Sequence, residues 1–116
     1  MEKFRSLKVW QKTHLLVLEI YKITKTFPND ERFGLTSQIR RAAVSIAANI
    51  AEASKRKTNK DQRHFYIMSA GSLEEVKYYI ILAYNLKYIN LEDGKKITEK
   101  AREIGKMLFG LDKYLK

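Results

Sequence analysis

Apolar residues recur along most of the chain at alternating steps of three and four, which is the spacing that keeps side chains on one face of an α-helix. Four such segments predict helices at about residues 7–27, 35–56, 60–88 and 90–115. Pro28 ends the first of them, because the residue before a proline disfavours the helical conformation. No segment alternates apolar and polar residues as a strand does. The pattern therefore predicts an all-α fold.

The lengths of the helices and of their connections predict how they pack. Segments of about 20 to 28 residues with short breaks between them favour an antiparallel up-down four-helix bundle, a single domain over residues 1–116. The second helix is rich in alanine, which would let a neighbouring helix approach closely. Gly71 interrupts the third helix at a cost of about 1 kcal/mol relative to alanine. We expect close backbone contact with the second helix to compensate for it.

The third helix is apolar on more sides than one bundle can cover, which predicts contacts with other copies of the chain. A second stripe on the first helix is a candidate partner for this surplus face. We expect the oligomer interface to contain Trp10, His14, Val17 and Tyr21 of the first helix and Tyr66, Leu73, Ile80 and Tyr84 of the third.

The net charge of the chain indicates which kinds of molecule the protein binds. Among 116 residues, 23 are Lys or Arg and 13 are Asp or Glu, a net charge of +10 that favours nucleic acid or an anionic lipid surface. There is no cysteine for a disulfide or a thiolate site. No apolar run approaches the roughly 20 residues of a membrane span, and the N-terminus lacks a signal-peptide core. We therefore expect a cytoplasmic protein without a membrane partner.

Basic residues cluster around the break between the second and third helices, opposed locally only by Asp61. We expect them to hold phosphates, and the alternative is an ordinary solvated loop. Arg40 and Arg41 lie nearer the other end of the second helix and are weaker candidates. Tyrosines of the third helix favour a core or interface role over base stacking. The residues of the cluster are Lys55, Arg56, Lys57, Lys60 and Arg63.

Catalytic and metal-binding patterns are weak. His64 follows Asp61 by three residues, but a carboxylate-bundle metal site needs two Glu-x-x-His pairs and two further acids. Glu52 is expected to form an ion pair with Lys55 or Arg56, one turn further along the helix. No phosphate loop or nucleophile motif is present. We expect no enzymatic activity, metal, cofactor or small-molecule substrate.

Several separated motifs resemble one family, the four-helix-bundle proteins encoded in 23S ribosomal RNA intervening sequences. They are LKVWQK at 7–12, FGLTSQIRRAAVSI at 33–46, NIAEA at 49–53 and GSLEE at 71–75. The usual pattern has Pro in place of Ala47 and Gly in place of Ala53. The resemblance implies a ring-like homopentamer, similar also to the basic, nucleic-acid-binding accessory protein of diversity-generating retroelements. Among the motif residues Asn49, Glu52, Gly71, Ser72 and Glu75, the polar ones are expected to tie the second helix to the third.

Together these observations predict a non-enzymatic, oligomeric nucleic-acid-binding protein that favours RNA, above all ribosomal RNA, over DNA. The alternative is an interaction scaffold for a polymerase or a ribosome-associated protein, with incidental basic charge. A membrane-surface binder is the weakest possibility, because no helix combines a strongly basic face with an exposed apolar one.

Overall fold

The computed structural model describes residues 2–116, which contain four α-helices and no strand. The helices are α1 (Lys8–Thr24), α2 (Leu35–Ser54), α3 (Asn59–Asn85) and α4 (Leu91–Leu115). Two short 3₁₀ turns, Lys3–Ser6 and Asn29–Glu31, precede α1 and α2. The all-α prediction and its four helices are confirmed, and α2 runs without interruption through Ala47 and Ala53.

Helix ends differ from the predicted ones where local hydrogen bonds take over. α1 ends at Thr24 and not at the predicted Phe27, because the amides that follow Thr24 donate to the carbonyl three residues back, as in a 3₁₀ turn. The Phe27 amide donates to the Thr24 carbonyl at 3.1 Å, and the Phe27 side chain is buried. At the start of α4, the Asn90 side chain accepts a hydrogen bond from the Asp93 amide at 2.8 Å and caps the helix.

Each helix contacts the next along the chain, and α1 also contacts α4, so the four helices surround one hydrophobic core. The molecule measures 43 × 22 × 21 Å. Large side chains without exposed surface come from every helix and fill this core: Leu16, Ile20, Ile39, Ile46, Ile50, Val76, Ile97 and Ile104 among them. Burial of one apolar stripe per helix is the main force that holds the fold together.

The contact between α2 and α3 is close because α2 presents small side chains. Ala43 and Ala53 have no exposed surface. The Ser69 hydroxyl of α3 donates to the Ile46 carbonyl of α2 at 2.8 Å. That carbonyl belongs to a helical backbone, so a second helix must approach closely for a short serine side chain to reach it. The prediction that alanines permit close packing is consistent with this geometry.

A carboxylate joins the two connections at one end of the molecule. The Glu31 carboxylate accepts a hydrogen bond from the Leu35 amide, at the start of α2, at 3.1 Å. It accepts a second one from the Tyr88 hydroxyl, beyond the end of α3, at 2.8 Å. These bonds lower the pKa of Glu31 and raise the pKa of Tyr88. A Cβ on Gly34 would lie 2.6 Å from the same carboxylate, so only glycine at this position leaves the Glu31 hydrogen bonds undisturbed.

Candidate nucleic-acid interface

The connection between α2 and α3 is short and fixed by hydrogen bonds. The Arg56 amide donates to the Ala53 carbonyl at 3.1 Å, and the Gln62 side chain donates to the Arg56 carbonyl at 3.1 Å. The Thr58 hydroxyl accepts a hydrogen bond from the Asp61 amide at 3.1 Å and caps α3. The connection therefore presents its basic side chains from a defined backbone.

Two arginines of the predicted basic cluster are engaged within the chain. Arg56 pairs with Glu52 one turn back, as expected, and its guanidinium lies 4.4 Å from the centre of the Phe65 ring. Arg63 donates to Asp112 of α4 at 2.9 Å, and both side chains are mostly buried. These contacts hold the start of α3 against α2 and α4. Both guanidinium groups already have partners within the chain, so they are less available to a phosphate than an unpaired cation is.

The lysines of the same region remain exposed. Lys55 lies 3.8 Å from Glu2, an ion pair in which both side chains are more than half exposed. Lys57 and Lys60 form no ion pair with any carboxylate of residues 2–116. We call Lys55, Lys57 and Lys60 the lysine cluster. It concentrates three positive charges within six residues at one end of the molecule.

Arg40 and Arg41, the weaker candidates, lie toward the other end of α2. Arg40 holds α2 against α1, because its Nε donates to the Thr24 hydroxyl at 2.8 Å and its guanidinium lies 4.6 Å from the centre of the Tyr21 ring. Arg41 is exposed and has no carboxylate partner among the described residues. About 14 residues of helix, or roughly 21 Å, separate Arg41 from Lys55.

The predicted oligomer interface is only partly on the surface. Leu73 and Ile80 are 1% and 2% exposed, and Val17 and Tyr66 are also buried in the chain's own core. Burial raises the pKa of Tyr66. The assignment of these four residues to an interface does not fit their burial. α1 turns Val17, and α3 turns the other three, toward the neighbouring helices of the same chain, which leaves little surface for a second copy.

The other predicted interface residues do reach the surface. Trp10 is half-buried and stacks on the exposed His14 with ring centres 5.0 Å apart, and Tyr21 and Tyr84 are exposed. The apolar side chains that α3 exposes lie next to the predicted stripe: Ile67, Met68, Tyr78 and Ile81. The surplus apolar surface inferred from the sequence therefore exists, on neighbouring positions.

The family-motif residues divide into two groups. Ser72 of α3 donates to the Ser45 hydroxyl of α2 at 2.9 Å and so ties the two helices, whereas Asn49 donates to the Ser45 carbonyl at 2.9 Å within α2. Glu52 pairs within α2, and Glu75 is exposed without an ion pair among residues 2–116. The bridging roles predicted for these two carboxylates are not found.

Gly71 corrects a second expectation. A Cβ added there would have no atom within 4 Å, and the residue lies on the exposed face of α3. The predicted close contact with α2 is wrong, because that contact is made by Ser69 and Ser72 on the opposite face. Gly105 of α4 is the closer approach, since its Cβ would lie 3.4 Å from Leu73.

No group of three His, Asp or Glu side chains in residues 2–116 is arranged to hold a metal ion. His64 and Asp61 are both exposed. Among the described helices, none is apolar over a length that would cross a bilayer.

Sequence reasoning missed Phe33, whose side chain is 88% exposed on the turn before α2. The neighbouring Arg32 guanidinium lies 5.4 Å from the centre of its ring. The sequence did indicate this exposure, because Phe33 falls outside every predicted helical stripe and no helix face was available to bury it.

Comparison with known proteins places this geometry in a family. A family model described as 23S rRNA-intervening sequence protein matches residues 5–110. A solved structure of a protein of unknown function from the S23 ribosomal protein family of Bacteroides thetaiotaomicron is similar, with a TM-score of 0.84 and 27% identity over 90% of this chain and 95% of that one. No curated protein matches the sequence. Because the family model covers α1, α2, α3 and most of α4, the chain belongs to the family of 23S rRNA-intervening sequence proteins.

Proposed function

We propose that the protein is a non-enzymatic homo-oligomer that binds nucleic acid, RNA in preference to DNA, through phosphate contacts repeated in every copy. The observation that carries this proposal is the lysine cluster. Three exposed ammonium groups lie at one end of a chain with a net charge of +10, and of the three only Lys55 forms an ion pair among residues 2–116.

The chemistry of the cluster suits a polyanion rather than a small acidic ligand. Exposed ion pairs such as Lys55 with Glu2 contribute little and are screened by salt, so a phosphate readily replaces the carboxylate. Each phosphate that a lysine neutralises releases condensed counterions, which supplies binding free energy without reading the base sequence. Binding of this kind is steeply salt-dependent and weakly sequence-selective.

Assembly supplies the second part of the proposal. Cross-helix contacts such as Arg63 with Asp112 and Ser72 with Ser45 support the antiparallel up-down order expected for the family. The apolar side chains that α3 exposes support burial against other copies, and the resemblance to the family favours a pentamer. In a closed ring each copy would present its own lysine cluster, so weak contacts would combine through a high effective concentration.

The test compares two triple variants of equal charge. K55Q/K57Q/K60Q removes the lysine cluster, and K95Q/K96Q/K106Q removes three exposed charges from α4. Affinity for a single-stranded RNA is measured at several salt concentrations. The first variant should flatten the plot of log affinity against log salt by about 2 for each copy engaged, and the second should change it little. Equal effects of both variants, or an affinity that hardly responds to salt, would refute the proposal.

Oligomeric state is tested separately by light scattering. Avidity requires several copies, so a lone 13.6 kDa particle at micromolar concentration would remove this part of the mechanism.

The alternative function is an interaction scaffold for a polymerase or a ribosome-associated protein. It is favoured by exposed apolar side chains away from the lysine cluster, such as Tyr78 and Ile81 of α3, which are 58% and 56% exposed. Purified protein that carries nucleic acid, detected by its ultraviolet absorbance ratio, supports the first function. A co-purifying protein without nucleic acid supports the second.

A further inference from the structure

A groove of about 600 Å³ lies between α1 and the beginning of α2, and we call it the α1–α2 groove. It lies toward the opposite end of α2 from the lysine cluster. Three arginines, Arg32, Arg40 and Arg41, line it together with the rings of Tyr21 and Phe33. Its volume is within the range of sites that hold small ligands or single nucleotide units. We propose that the α1–α2 groove binds a single-stranded segment of nucleic acid, with Phe33 as the platform on which a base stacks.

Exposure of Phe33 is the first argument. An aromatic side chain that is 88% exposed gains nothing from the chain's own core, and its ring is accessible to a base that stacks on it. The backbone that carries it is fixed, because the Gly34 amide donates to the Glu31 carbonyl at 3.0 Å and the Leu35 amide donates to the Glu31 carboxylate. Because the backbone is already fixed, stacking of a base orders only the Phe33 side chain, which limits the entropy lost on binding.

Charge is the second argument. Arg32 and Arg41 form no ion pair with any carboxylate in residues 2–116, and Glu31, the acidic residue next to Arg32, is occupied by Leu35 and Tyr88. Two guanidinium groups without a carboxylate partner among the described residues, one of them 5.4 Å from the centre of the Phe33 ring, match the phosphates on either side of a stacked base. An apolar partner would leave both charges without compensation.

The floor of the groove explains why a single strand fits better than a duplex. Arg40 is held by Thr24 and lies over the Tyr21 ring, so the floor is a fixed aromatic and cationic surface between two helices. Bases in a duplex are paired and stacked on one another, whereas a single strand has free base faces to offer. The groove thus selects strand state rather than base sequence.

This inference rests on the proposed nucleic-acid binding and adds a second, stacking site to it. The test measures fluorescence anisotropy with a labelled oligouridine and with an RNA duplex of equal length. Phe33→Ala should weaken oligouridine binding by about 5- to 150-fold and leave duplex binding unchanged. Phe33→Trp should retain the affinity. Tyr114→Ala, which removes another exposed ring, 84% exposed at the end of α4, is the matched control and should weaken oligouridine binding less than Phe33→Ala does.

Arg41→Gln supplies an independent readout. It should flatten the salt dependence of oligouridine binding by about 0.7, and Arg102→Gln, an exposed arginine of α4, should not. Full oligouridine affinity in Phe33→Ala, with loss in K55Q/K57Q/K60Q, would overturn the groove but keep the proposed function. Absence of RNA binding by the unaltered protein would overturn both. A lower molar mass in Phe33→Ala would show that the groove receives a second copy of the chain, which also overturns this assignment.

Discussion

Replacing Ala43 by leucine tests how tightly α2 is packed. Ala43 has no exposed surface, and α2 is held against α3 by the bond from Ser69 to Ile46. Leucine adds three carbon atoms. If space existed for them, their burial would stabilise the fold by about 0.8 kcal/mol per carbon. In a core without space, the same atoms force neighbouring side chains and backbone to shift, at a cost of about 1–3 kcal/mol.

The expected change in melting temperature follows from the size of the chain. A protein of 116 residues has an unfolding entropy of about 0.24 kcal/mol/K near its melting temperature. Ala43→Leu should therefore lower the midpoint by about 4–12 °C. Ala48→Leu is the matched control, because Ala48 is exposed on the same helix and alanine and leucine have similar helix propensities.

The assay is thermal unfolding followed by far-ultraviolet circular dichroism, with both variants at one protein concentration so that oligomerisation does not bias the comparison. Equal melting temperatures for the two variants would refute the argument, since they would mean that α2 has room beside it for a larger side chain.

Three further predictions concern stability. Gly71→Ala should stabilise the fold by about 0.5–1 kcal/mol, because an added Cβ meets nothing and alanine favours the helix; denaturant unfolding measures this, and a loss of stability would mean that another copy contacts Gly71. Lys87 has a φ of 65°, so Lys87→Gly should stabilise by about 1 kcal/mol in the same assay, and an unchanged midpoint would contradict the strain. The lowered pKa of Glu31 means that its contribution is present above its ordinary value of 4.5 and is lost as pH falls below it. Glu31→Gln should therefore be less stable than the unaltered protein at neutral pH, with the difference shrinking in acid; a difference independent of pH would contradict this.

The helices could be predicted because their burial is periodic and local in sequence. The stripe through Leu16 and Ile20 shows its spacing without any knowledge of its neighbours, and the cap at Asn90 needs only the residue three positions on. The pair of Arg56 with Glu52 was predictable for the same reason, because both residues lie one turn apart on one helix.

The parts that could not be predicted depend on residues distant in the chain. Arg63 and Asp112 are 49 positions apart, and no local pattern distinguishes the paired Arg63 from the exposed Lys60. Likewise, two apolar stripes on α3 look equivalent in sequence, and only the positions of α2 and α4 decide that Leu73 is buried and Ile67 is exposed. The position of Gly71 on the outer face follows from the same choice.

Two contacts described above bring both chain termini to one end of the molecule. Glu2 lies beside Lys55, and Asp112, near the end of α4, holds Arg63 at the start of α3. A purification tag or fluorescent fusion on either terminus would therefore lie next to the lysine cluster and alter the charge there. A tag or label is therefore better removed by proteolysis before any titration, because attachment near Lys87, in the connection at the far end, would place it close to Glu31 and the α1–α2 groove.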